Sequence, residues 1–238
     1  MAGRCSCSCP MGKSLTLADQ QNLILSCLSS ADFRLLERHL EPIDLPMRKV
    51  LERRGKPIKT IYFPQSGFAS VVANGNSRPI EVGLIGREGM TGLPVVLGND
   101  RNENEVFIQA PGNGQCIRVA DLRQAIDKST TLHRAFLRYA HAFLNQATRT
   151  AVANGRAKIE ERLARWLLMA ADRLDGGELP LTHEFLAMML GVRRPGVTVA
   201  IQALEREGVI VRRRGRIVIT NRKALEKRSN GTYVPADS

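Results

Sequence analysis

The chain has 238 residues, enough for one large or two modest domains with real cores. Hydrophobic residues make up 43%, which excludes wholesale disorder, and no apolar run approaches the ~20 residues of a membrane-spanning helix. With 35 Lys and Arg against 23 Asp and Glu, the formal net charge of +12 suits a polyanionic partner, either nucleic acid or an anionic membrane surface.

The N-terminus lacks an apolar segment of the kind that directs secretion, so a soluble cytoplasmic protein is expected. Cysteines stand at Cys5, Cys7, Cys9, Cys27 and Cys116, an odd number that argues against a disulfide framework. Cys5, Cys7 and Cys9 are separated by single serines, whereas residues that share one metal ion need wider spacing, so no metal site is assigned. Translation from Met11 would remove these three altogether.

In chain order, residues 1–14 read as a disordered tail. From Leu15 to His39 apolar residues recur at helical spacing, with Ser29, Ser30 and Asp32 offering caps for a second short helix. From Glu41 to about Ala120 the chain is punctuated by Pro, Gly and Asn, with β-rich runs at 60–63, 68–72, 80–85, 105–110 and 115–119. That spacing predicts an antiparallel barrel, roll or sandwich.

After Asp121 the period turns helical. Leu132, Phe136, Tyr139, Phe143, Gln146 and Thr150 form a heptad-like stripe. Such a stripe can pack on the β unit or join two copies of the chain. We expect a dimer seam at Leu132, Phe136, Tyr139 and Phe143, because a long helix after a compact β unit otherwise lacks a second surface to bury. Asn154-Gly155 suggests a hinge before a further helix from Lys158 to about Leu174.

The most specific pattern lies at 181–220. Thr182 is placed to cap one helix, Ala187 permits close helix approach, and Gly191 four residues on permits a left-handed turn. Pro195 sits in the first turn of the next helix, where its missing N–H costs nothing. That helix runs to Glu207 and stops at Gly208. The β-branched run 209–220 then reads as a hairpin with a basic turn. Between Leu181 and Arg228, 11 Lys/Arg stand against 4 Asp/Glu, more than half the net charge in about a fifth of the chain. A helix-turn-helix with a basic wing predicts double-stranded DNA as partner, and disfavours a membrane surface.

Roles follow from that geometry. Arg193 and Arg194 should enter the major groove, Arg194 being the leading candidate for a bidentate guanine contact. Thr198 and Gln202 follow along the same helix face. Thr182 and His183 should meet phosphate, and Arg213, Arg214 and Arg216 should meet phosphates or the adjacent minor groove. No enzyme is expected, since His39, His133, His141 and His183 form no catalytic or zinc-binding spacing.

The order of parts, with the run from Leu181 to Thr198, resembles the Crp/Fnr family of bacterial regulators. The resemblance implies an α+β chain: a cyclic-nucleotide-binding-like antiparallel β-roll at 15–128, a dimerisation helix at 129–155, a winged helix-turn-helix at 156–228, and a second disordered tail at 229–238. It also implies a homodimer on a two-fold operator, with RNA polymerase and an unknown small-molecule effector as further candidate partners. In family members that bind cyclic nucleotides, a Gly-Glu pair holds the ribose and an Arg followed by Ser or Thr holds the phosphate. Here Gly86, Arg87 and Glu88 occupy the first place, and Asn104 and Glu105 the second, with Arg101 nearby as a possible substitute cation. A carboxylate facing a phosphate is repulsive, so a cyclic nucleotide is disfavoured and the pocket reads as degenerate or altered. An iron–sulfur cluster is disfavoured too, because the family's cluster-binding branch uses wider cysteine spacings. The alternative function is a redox or metal sensor using the N-terminal cysteines.

Overall fold

The computed structural model describes residue 17 and residues 20–74, 79–174 and 178–235. Two short helices open it, α1 (Leu23–Ser26) and α2 (Ser30–Glu37). Ser29 caps α2, its Oγ accepting from the Asp32 N–H at 3.1 Å. Seven strands follow: β1 (Glu41–Leu45), β2 (Val50–Glu52), β3 (Thr60–Pro64), β4 (Phe68–Ala73), β5 (Ile80–Ile85), β6 (Glu105–Ala110) and β7 (Gly112–Arg118). A one-turn helix α3 (Leu93–Val96) interrupts them.

The strands form two antiparallel sheets, ordered β1-β7-β3 and β2-β6-β4-β5. The five predicted strands are all present. β1 and β2 were missed because one carries Pro42 and exposed residues on an edge, while the other is only 3 residues long. Leu45, Ala69, Val71, Ile85, Val106 and Ile108 fill the space between the sheets. β4 is buried on both faces, which is why its sequence is continuously apolar or small instead of alternating.

Beyond the strands come α4 (Val119–Lys128) and the long α5 (Thr130–Arg156), which runs without a break through Asn154 and Gly155. The expected hinge therefore falls at Ala157 and Lys158, where the backbone turns extended before α6 (Ile159–Ala171). β8 (Glu178–Pro180), α7 (His183–Leu190), α8 (Arg194–Arg206), β9 (Ile210–Arg213), β10 (Arg216–Ile219) and α9 (Arg222–Arg228) complete the chain.

The aromatic stripe of α5 is the main correction. Leu132 and Phe136 are 0% exposed and Tyr139 9%, all inside the protomer's own core with α1, α2 and α4. Phe143 packs against the sheets, where a Cβ on Gly83 would come within 2.8 Å of its ring. Gln146 completes the stripe by bonding β5 as a strand would: Leu84 N donates to its Oε1 at 2.6 Å, and its Nε2 donates to Leu84 O at 3.2 Å. Leu132 and Phe136 are thus enclosed within the protomer and present no surface to a second chain, Tyr139 is nearly so, and Phe143 stays half-buried.

The C-terminal core is continuous with the sheet. Phe68, Val72, Leu84 and Ala110 of the four-stranded sheet pack in one cluster with α6, α7, α8 and the wing. Trp166 sits between Phe68 and Phe185, with ring centroids 6.5 and 5.9 Å away, both edge-on. The stretch 229–235, expected as a tail, is anchored at two points: Ser229 is buried, and the Tyr233 hydroxyl donates to Asp172 at 2.7 Å. The 1–14 tail and Cys5, Cys7 and Cys9 lie outside the described residues.

Candidate DNA interface and effector pocket

The helix-turn-helix follows the local chemistry of its sequence. Thr182 caps α7, its Oγ1 accepting from the Phe185 N–H at 3.2 Å. Gly191 closes the helix at φ 62°, and a Cβ there would also strike the Ile80 side chain of β5 at 2.7 Å. Arg193 caps α8, and Pro195 lies in its first turn. Leu186, Leu190, Val197, Ala200, Ile201 and Leu204 are buried between the helices.

The opposite side of α8 is open. Arg193, Arg194 and Gln202 are exposed. Arg194 is not idle, because its Nη1 lies 2.7 Å from Glu184 Oε1 of α7, with both side chains about two-thirds exposed (64% and 63%). Thr198 donates to Arg194 O at 3.2 Å, so it accepts from His183 Nδ1 at 3.0 Å. These two side chains, expected on phosphate or bases, fasten α7 to α8 at this interface.

The wing is a three-stranded sheet, ordered β8-β10-β9, rather than a lone hairpin. Its two-residue turn, Arg214-Gly215, uses the positive φ of Gly215, 71°. Arg213 and Arg216 pair across the two strands, so the turn presents three guanidinium groups together. Arg212, one residue earlier, is held by Glu205 at 2.6 Å. β8 escaped the sequence reading because it is 3 residues long and begins directly after a Gly pair.

The residues expected around an effector do not converge. Gly86 and Glu88 face α6 instead: Glu88 accepts from Arg173 Nε and Nη2 at 2.9 and 2.6 Å, and a Gly86 Cβ would strike Arg173. Arg87 is exposed. Arg101 donates to Gly55 O at 2.8 Å and pairs with Asp100 at 3.6 Å on the surface. Glu105 stays on β6.

Of the six, only Asn104 lines a cavity of ≈ 460 Å³ between the roll and α5. Leu93, Val71, Val106 and Leu144 give it an apolar wall, and Glu52, Asn102 and Asn104 a polar corner. Glu52 is satisfied there, accepting from Gly92 N at 2.6 Å and Asn102 Nδ2 at 2.7 Å, and burial pushes its carboxyl above the ordinary value. No Arg or Lys lines this cavity among the described residues.

Residues 161–228 match the Crp-like helix-turn-helix domain. The whole architecture is also found in solved structures. A transcriptional regulator of the crp/fnr family from Eubacterium rectale is 17% identical, superposes with a TM-score of 0.70, and covers 90% of this chain and 100% of its own. FixK2 from Bradyrhizobium japonicum is 17% identical with a TM-score of 0.67, over 79% of this chain and 96% of its own. The c-di-GMP-responsive global regulator CLP of Xanthomonas campestris is 19% identical with a TM-score of 0.65, over 80% and 99%. This chain has the Crp/Fnr regulator fold and carries a Crp-like helix-turn-helix domain. Among curated proteins no sequence match is found.

The α+β reading holds, with antiparallel sheets first, a long helix next and the winged unit last. No helix among the described residues is long and apolar enough to cross a membrane. Sequence reasoning missed two contacts that tie the two ends together, Trp166 with Glu81 and Arg173 with Glu88, and one within the helix-turn-helix, Arg194 with Glu184. Each joins residues of unremarkable local sequence across 10 to 85 positions, so no short-range signal could have found them.

Proposed function

We propose that this chain is a dimeric, sequence-specific transcription regulator that reads duplex DNA with α8 and holds the backbone with its wing. The observation that carries the reading is the exposed N-terminal half of α8, with Arg193, Arg194 and Gln202, beside a wing turn that carries Arg213, Arg214 and Arg216. Arg194 exchanges Glu184 for a guanine edge on binding. Glu184 thereby suppresses unspecific contacts, since leaving it unpaired costs energy unless a good acceptor replaces it.

Dimerisation is assigned to the other face of α5. Leu137, Ala140, Leu144 and Ala147 repeat at heptad spacing, and Leu137 and Leu144 are 37% and 62% exposed. A second copy of the helix would cover these leucines and close the mouth of the ≈ 460 Å³ cavity, which the same four residues help to line. An apolar cavity without a cation suits an uncharged effector and not a cyclic nucleotide, whose phosphate would meet the Glu52 corner. This supports the reading of an altered sensor.

The salt dependence of duplex binding tests the DNA assignment. Removing one wing arginine (R214A) should weaken binding uniformly across sequences and reduce the slope of log K against log salt by about 1. An unchanged slope would take the wing off the DNA.

A further inference from the structure

A second cavity, ≈ 290 Å³, lies between α5, α6 and the C-terminal stretch that ends at Pro235. Arg149, Arg165 and Arg173 line it, with Tyr139, Gln146 and Glu88. Its charges do not balance. Glu88 is already engaged by Arg173 at 2.6 Å.

Arg165 is 6% exposed, yet its bonds among the described residues all go to neutral oxygens: Thr232 O at 3.0 Å, Thr150 Oγ1 at 3.0 Å and Gln146 O at 3.4 Å. None of them uses Nη1. The acid whose field supports it is Glu81, which burial pushes up to about 7, so near neutrality Glu81 supplies only part of a counter-charge. Burial in turn pulls the Arg165 guanidinium down to about 10.

The second orphan is Tyr139. It is 9% exposed, and its buried hydroxyl, which the Met90 backbone N–H approaches, has no acceptor for its own proton among the described residues. The ring is seated over Gly89, where a Cβ would come within 2.2 Å of the hydroxyl, so the glycine makes room for it.

A buried guanidinium without a carboxylate and a buried hydroxyl without an acceptor are each costly alone. One anionic group between them would satisfy both, because a carboxylate or phosphate accepts from a guanidinium fork and a phenol at once. We propose that this cavity is a binding site for a small anionic molecule bearing a carboxylate or phosphate group, held by Arg165 and Arg149 with the Tyr139 hydroxyl as donor. Its volume is at the low end of ligand sites (~300–1,000 Å³), which fits a small organic acid or sugar phosphate and excludes a dinucleotide. Because α5 and α6 both contribute, occupancy would tie the long helix to the base of the DNA-reading unit.

The test is thermal unfolding of the full chain at constant ionic strength, titrated with inorganic phosphate, glycerol phosphate or succinate, with calorimetry for affinity. At least one probe should raise the midpoint, by roughly 2–5 °C near tenfold its Kd. R165M should abolish the shift, read against that variant's own midpoint in the absence of anion. Y139F should weaken binding several-fold, and R194A on the DNA face should leave it unchanged. R149M, at an exposed position, should also weaken binding, and it decides the matter if R165M does not fold.

A shift that survives R165M and disappears in R194A would place the anion on the DNA face and overturn the proposal. No shift with any probe would overturn it as well.

Discussion

The indole N–H of Trp166 donates to Glu81 Oε1 at 2.6 Å, joining the first helix of the DNA-reading unit to the edge strand β5 of the roll. Ser70 of β4 donates to the other oxygen of Glu81, also at 2.6 Å. A carboxyl in this position is shared by both halves of the molecule, so its ionisation bears on how they are held together.

Burial pushes Glu81 up to about 7, against the opposing bonds from Ser70 and Trp166 and the fields of Arg165 and Arg173. The unfolded chain ionises this group near 4.5, so between pH 4.5 and 7 the folded state binds the extra proton. Stability from this site is therefore complete below about pH 4.5 and is lost as pH rises toward 7, by on the order of 3 kcal/mol. E81Q keeps an acceptor for Trp166 and should flatten thermal-denaturation profiles over that range. The variant should be more stable than the parent above pH 7 and similar near pH 4.5.

For Arg194, replacement by Ala should cost about 1–3 kcal/mol on the selected operator and relax one base position. E184Q should do the opposite to background binding, strengthening contact with unrelated duplex by roughly 3–10-fold because Arg194 is released. Competition binding with operator and random duplex measures both. Equal loss on all sequences in R194A would make it a phosphate contact.

At α5, L144D changes a leucine that is 62% exposed and should yield folded monomers by sedimentation, with secondary structure intact. Phe136→Ala removes a fully buried ring, so it should lower stability by about 3–5 kcal/mol. A dimer that survives L144D would move the seam away from this face.

Gly191→Ala combines a strained positive φ with a clash at Ile80, and should destabilise the fold by about 1–3 kcal/mol. Shortening Ile80 to Val in the same chain should recover part of the loss, which denaturant titration would read as non-additivity.

The reading unit was legible because its signals are local. Thr182, Gly191, Pro195 and Gly208 each sit where backbone geometry admits few alternatives. Which face of α5 turns inward was not legible, because the helix carries two heptad stripes and spacing cannot distinguish them. The aromatic rings at 136 and 139 bury more apolar area and, with Leu132, fill the protomer's core, which leaves Leu137 and Leu144 on the outside. The effector residues were misplaced for a similar reason. Gly86 and Glu88 read as a turn beside a ligand, yet the partner that decides their place is Arg173, 85 positions from Glu88.

Selection of bound sites from random duplex DNA tests the account most directly. It predicts enrichment of a two-fold-symmetric sequence with half-sites about one helical turn apart, and loss of that enrichment in R194A. Recovery of no preferred sequence, or of a single unrepeated half-site from the intact chain, would contradict it.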